Sequence, residues 1–114
     1  MTTPTNSARV AAKTLANNLV HRFSAPLWEM GEGSWVFVTV PRDASERIRS
    51  IPREPRPGFG SLRVEVTLGS SVWKTSIFPE AKSRCYVLPV KKAVRAAQGV
   101  QPPDTVEVAI ELID

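Results

Sequence analysis

Residues 73–76 read Trp-Lys-Thr-Ser, and no other stretch of this chain offers so compact a set of binding groups. On an extended strand, successive side chains point to opposite faces. Lys74 and Ser76 then share one face, and Trp73 and Thr75 share the other. That arrangement offers a polar patch beside an aromatic platform for a small ligand. Equally, Trp73 could belong to the core while the hydroxyls pair across a sheet. A second set is basic. Arg42, Arg47, Arg49, Arg53 and Arg56, with Arg63 nearby in sequence, could contact phosphates, and Lys91, Lys92 and Arg95 repeat the pattern further on. Of these, Arg42, Arg53, Arg56, Lys91, Lys92 and Arg95 are the candidate phosphate or nucleic-acid contacts. Asp43, Glu46 and Glu54 are interleaved with the first group and reduce its field, so a solvated helix and loop accounts for it as well. The chain shows no exposed aromatic series of the kind that stacks single-stranded bases.

Catalytic chemistry finds less support. Cys85 and His21 are the only cysteine and the only histidine. A thiol nucleophile needs its imidazole within hydrogen-bond reach and a third group to orient it, and nothing in their spacing supplies that. Cys85 lies in an apolar strand and reads as a small buried side chain. One cysteine and one histidine argue against zinc and most transition-metal sites. Gly58-Phe59-Gly60 follows prolines and precedes a strand, the reverse of a phosphate-binding loop. Residues 52–55, Pro-Arg-Glu-Pro, match a proline-rich groove ligand only loosely. The sequence therefore predicts a non-enzymatic protein with no catalytic residues, no cofactor and no metal.

A chain of 114 residues with 42% hydrophobic content is large enough for one self-supporting core. The single cysteine rules out an internal disulfide and is compatible with a reducing cytosol, so a cytoplasmic location is expected. No apolar run is long enough to cross a membrane, and residues 1–20 lack the unbroken apolar core of a secretory signal. A net charge of +4 permits weak attraction to polyanions without requiring it.

The elements that must carry these residues are legible from periodicity. Residues 1–19 form an N-terminal extension, flexible at first and then helical, with Ala8, Ala11, Ala12, Leu15, Ala16 and Leu19 on one stripe. That stripe could dock on the domain or engage a protein partner or a second copy. A single domain, residues 20–114, follows. Alternation marks a strand over 21–28, with Pro26 at an edge or bulge. The apolar run Trp35–Val40 predicts a strand buried on both sides. Pro41 opens a helix with Asp43 and Glu46 at capping-box spacing and Ala44, Ile48 and Ile51 inward. A proline-rich basic loop over 52–60 precedes the cleanest strand, Ser61–Leu68, which forms a hairpin with Val72–Phe78. Cys85–Leu88 is a strand, and Pro89 opens a second helix with Val90, Ala93, Val94 and Ala97 inward. Gly99 caps it, and Pro102, Pro103 and Asp104 turn the chain into a last strand, Thr105–Ile113.

The halves repeat. Each runs strand, strand, proline-opened helix, strand, and each ends in Val-x-Val with an outward glutamate, Glu65 or Glu107. Neither half buries both faces of its sheet alone. The prediction is a mainly β fold: a small closed double-split barrel of two ββαβ pseudo-repeats, with two short helices and the N-terminal extension.

Two resemblances agree with this. Leu88, Pro89, Arg95, Gly99, Asp104, Val106 and Val108 match the half-barrel of AbrB and MazE-type proteins, with Pro103 where they carry glycine. That resemblance implies a swapped-hairpin barrel and, as one function, DNA binding by a two-fold pair of basic surfaces. From Phe23 onward the chain resembles the bacterial domain-of-unknown-function family nineteen-oh-five. The matching blocks begin with Phe23-Ser24-Ala25-x-Leu27-Trp28 and Trp35-Val36-Phe37-Val38-x-Val40-Pro41. Gly58-Phe59-Gly60-Ser61-x-Arg63-Val64, residues 73–79 and Leu88-Pro89-Val90-Lys91 follow in order. The family implies an AbrB-like barrel without an established activity, and some members are fused to a segment named for bacteriocin protection. The expected function is a binding or interaction module. An AbrB-like DNA-binding protein, or a small-molecule-binding protein of stress or bacteriocin tolerance, are the alternatives.

Overall fold

The structure, a computed structural model, describes residues 20–32, 35–51 and 60–113. The expected helix in the N-terminal extension and the loop residues Arg53 and Arg56 lie outside these. Six strands and two helices are described: β1 (Val20–Met30), β2 (Trp35–Thr39), α1 (Arg42–Ser50), β3 (Leu62–Leu68), β4 (Ser71–Glu80), β5 (Cys85–Pro89), α2 (Lys92–Gln98) and β6 (Thr105–Leu112). The strands close into one antiparallel barrel in the order β1-β2-β5-β4-β3-β6, with β6 returning to β1. This is the mainly β closed barrel that the sequence predicts.

The pairing explains why both halves are needed. Within its own half, β1 pairs only with β2, and β4 only with β5. β3 lies between β4 and β6, both from the second half. β6 lies between β3 and β1, both from the first. Each half thus donates its last strand to the other. The two longest strands change partner midway. β1 pairs with β6 through Pro26 and with β2 from Leu27, while β4 pairs with β3 through Ile77 and with β5 from Phe78. Pro26 therefore stands where a strand leaves one neighbour for another, a position where its missing N–H is tolerated.

A pseudo-two-fold relates the halves, and hydrogen bonds fix its register. Val40 N–H donates to Tyr86 O, and Val90 N–H donates to Val36 O, each at 2.9 Å. Ser45 Oγ donates to Val40 O at 2.9 Å, and Arg95 Nε donates to Val90 O at 3.0 Å. Val40 corresponds to Val90, Ser45 to Arg95, and the N-cap Pro41 to the N-cap Lys91. Pro89 is thus not the counterpart of Pro41. It ends β5, pairs with Phe37 and precedes the N-cap, so the second helix is not opened by proline. Nor does a capping box form on α1. Asp43 lies inside the helix, where its Oδ1 accepts from the Ala44 N–H.

The core is a column of β-branched and leucine side chains, with Val38, Val40, Val64, Ile77, Leu88 and Ile110 sealed from solvent. Each contributes about 1.5–3 kcal/mol of burial. β2 departs from its expected two-sided burial. Val36, Val38 and Val40 point inward, while Trp35, Phe37 and Thr39 face out and Trp35 is 62% exposed. α2 also buries less than expected. Only Val94 of the helix is buried, and Ala93 and Ala97 are exposed, because a helix of seven residues covers little area.

Candidate cleft between the second helix and the barrel

The two helices approach the barrel differently. α1 lies against β5: Ser45 is fully buried, and its Oγ accepts the Tyr86 N–H at 3.0 Å. Tyr86 is buried beneath it, with the Arg49 guanidinium 5.6 Å from the ring centroid. α2 leans instead toward β4. Its Gln98 amide nitrogen donates to Ser70 Oγ at 3.0 Å and Ser71 Oγ at 2.8 Å. Gly69, at φ +62°, allows this approach, since a Cβ there would collide with the Gln98 amide. Val36 stands where the other half has Tyr86, so no large side chain fills the space on the β2 side of α2.

The result is a cleft of about 750 Å³. β2 supplies Trp35 and Val36, β4 supplies Trp73, Lys74 and Thr75, and the β5–α2 segment supplies Pro89, Val90, Lys91, Lys92 and Arg95. Two groups that the sequence holds separate thereby meet. Trp73, Lys74 and Thr75 of the ligand-binding set share one cleft with Lys91, Lys92 and Arg95 of the phosphate set. Trp73 is half-buried, packed against the core on one side and open to the cleft on the other. Ser76 is not brought in. It lies one residue further along the same β3–β4 ladder, 3.5 Å from the Arg63 guanidinium that donates to it.

The electrostatics of the cleft are one-sided. Among the described residues its lining holds three lysines and an arginine and no carboxylate. None of these cations forms an ion pair among the described residues. Glu65 is the cross-strand neighbour of Lys74, which leaves Lys91, Lys92 and Arg95 as the less compensated group. Lys91 and Lys92 are exposed, whereas Arg95 is half-buried and held by its bond to Val90 O, so its remaining N–H groups keep a fixed direction. Lys92 and Arg95 also border a smaller groove of about 430 Å³ beside Gly99 and Val100.

The α1 cations are engaged locally. Arg42 meets Glu46 at 3.5 Å and Arg47 meets Asp43 at 3.7 Å, both along α1. Arg49 donates to the Arg84 carbonyl at 2.5 Å. The counterparts of Lys91 and Arg95 are Pro41 and Ser45, so the two faces related by the pseudo-symmetry are unequally basic.

Sequence reasoning misses Trp35 and the aromatic row behind it. Trp35 stacks on Phe37 with centroids 6.2 Å apart and planes 15° apart, and Phe37 lies 5.1 Å from Trp28. Trp28 Nε1 donates to Thr39 Oγ1 at 2.9 Å. An aromatic row therefore exists, with Trp35 as its exposed end and Phe37 and Trp28 half-buried behind it. The available signal was alternation within residues 35–40, where every second position is valine and the others are Trp, Phe and Thr. Cys85 is buried and free, as expected. Among the described residues no three His, Cys, Asp or Glu side chains group to hold a metal. No helix among them is long and apolar enough to cross a membrane.

The family model for a domain of unknown function, DUF1905, matches residues 23–110. No curated protein matches the chain.

Proposed function

The chain belongs to the DUF1905 family, and we propose that it is a non-enzymatic binding module whose ligand is a small anion held in the cleft beside α2. One observation carries this reading: four cations and two tryptophans converge on one cleft whose described lining has no carboxylate. Clefts of this size, apolar-walled with a few convergent polar groups, are the usual form of small-ligand sites. The described lining holds no His, Cys, Asp or Glu, the usual sources of a general base near neutral pH or of a thiol nucleophile, which favours binding over catalysis. Duplex DNA is the less favoured ligand, because Arg42 and Arg47 are paired within α1 and the two-fold basic surface is lopsided.

Titrating the full chain with inorganic phosphate and pyrophosphate, followed by amide chemical shifts, tests the reading. Shifts should concentrate at Val36, Lys74 and residues 90–95, and Arg95→Gln with Lys91→Gln should abolish them. Perturbation spread evenly over the surface would overturn the site. A mobility shift of generic duplex DNA that weakens steeply with salt would replace it with the nucleic-acid reading.

A further inference from the structure

Resting on the anion-binding reading, we infer that the ligand of this cleft is a planar aromatic phosphate of the mononucleotide class, with its ring on Trp35 and its phosphate among Lys91, Lys92 and Arg95. A bare phosphate would leave most of a cleft of about 750 Å³ empty. The rest of the ligand is specified by Trp35. A large aromatic side chain left 62% exposed normally moves among rotamers, but here its orientation is held. Phe37 stacks on it at 6.2 Å and 15°, Trp28 supports Phe37 at 5.1 Å, and Thr39 anchors the Trp28 indole N–H. The row ends in an aromatic surface that is fixed in direction and unfilled by the protein. A flat ring stacking there loses little side-chain entropy from the protein.

The cations stand next to that surface for a structural reason. β2 and β5 are in register at Phe37 and Pro89, and the Val90 N–H bond to Val36 O carries the two chains one step further. Trp35 and Lys91 are the next residues along those same chains, so the exposed ring and the N-cap cation are neighbours. Val90, whose carbonyl holds the Arg95 guanidinium, precedes Lys91. A ligand that carries a flat ring and an anionic group on one scaffold can meet both within this cleft. Arg and Lys donors on phosphate oxygens, with a base stacked on an indole, are the contacts this ligand class uses elsewhere.

Titration of the full chain by calorimetry, with tryptophan fluorescence as a second readout, uses adenosine monophosphate, ribose 5-phosphate, adenosine and inorganic phosphate as probes. Adenosine monophosphate should bind roughly ten- to a hundred-fold more tightly than ribose 5-phosphate, the gain expected of one stacked base. Trp35→Ala should remove that gain and bring adenosine monophosphate down to the affinity of ribose 5-phosphate. Because Trp35 is exposed, the variant should melt with the parent, and a Trp35 indole N–H shift on addition of adenosine monophosphate to the unmodified chain checks the contact without any substitution. Equal binding of adenosine monophosphate and ribose 5-phosphate would overturn the stacking inference while sparing the anion site. No binding of any phosphate would overturn both. Affinity that keeps rising with the length of a single-stranded oligonucleotide would overturn the mononucleotide assignment.

Discussion

The two helices sit at equivalent points of one pseudo-symmetric barrel, yet α1 seals its junction and α2 leaves one open. At α1 the buried set is Ala44, Ser45 and Ile48, lying over a buried tyrosine. At α2 the corresponding positions are Val94, Arg95 and Gln98, and the tyrosine is replaced by Val36. Apart from Ala44 to Val94, which enlarges an apolar side chain, each change removes apolar volume or adds a polar group. Together they turn a packed interface into a cleft bordered by cations. A duplicated unit needs its closing strand pairs in both copies, but it needs only as much helix packing as stability requires. One junction can then carry the fold while the other is free to bind.

The largest expected effect breaks the comparison at its packed side. Ile48 is sealed, so Ile48→Ala should cost about 2–5 kcal/mol through lost burial and a residual cavity. Its counterpart Gln98→Ala removes only hydrogen bonds at the surface of the β3–β4 turn and should cost about 1 kcal/mol. Urea midpoints of the two variants measure this, and equal losses would mean that α2 is as structural as α1.

A smaller effect is expected from the next pair. The Ser45 hydroxyl both donates to Val40 O and accepts the Tyr86 N–H while fully buried. Ser45→Ala strands a buried N–H and should destabilise by about 1–3 kcal/mol. Arg95→Met, at the equivalent site, keeps the stem that covers the barrel and loses a half-exposed head. Its midpoint should stay near the parent while phosphate binding disappears. If Arg95→Met unfolds the chain at a lower midpoint than Ser45→Ala, Arg95 is a brace and not a ligand contact.

The reciprocal swap sharpens the point. Val36→Tyr places in the open junction the side chain that fills the closed one. Entry of the ring into existing space should limit the cost to about 1–3 kcal/mol. Phosphate-induced amide shifts should vanish because the cleft is occupied. A variant that binds phosphate as well as the parent would show that Val36 does not border the site.

The barrel was legible in the sequence because its signals are local. Valine alternation in residues 62–68 and 106–112 and the Gly69 and Gly99 turns specify strands and breaks without reference to the rest of the chain. The cleft was only half legible. Trp73, Lys74, Lys91 and Arg95 stand out by residue type, but their meeting depends on α2 folding back against β4, a tertiary contact that no local signal specifies. Trp35 was hidden by composition: an unbroken apolar run looks the same whether one face or both are buried. Pro89 misled for a related reason. A proline suits both a strand end and a helix start, and only the Val90 bond to Val36 decides between them.

The smallest effect tests whether the basic residues of α1 belong to the site at all. Arg42 and Arg47 are exposed and make i,i+4 pairs with Glu46 and Asp43 along one helix. Such pairs contribute about 0.3–0.5 kcal/mol each. The double substitution Arg42→Gln, Arg47→Gln should therefore lower the urea midpoint only slightly. It removes as many positive charges as Lys91→Gln with Lys92→Gln does on the other helix. If long-range charge alone attracts the anion, the two double variants should weaken phosphate binding equally, and both effects should fade with salt. If the cleft holds the anion by contact, only the Lys91, Lys92 variant should lose it. Measuring both at low and at physiological ionic strength separates a surface field from a built site.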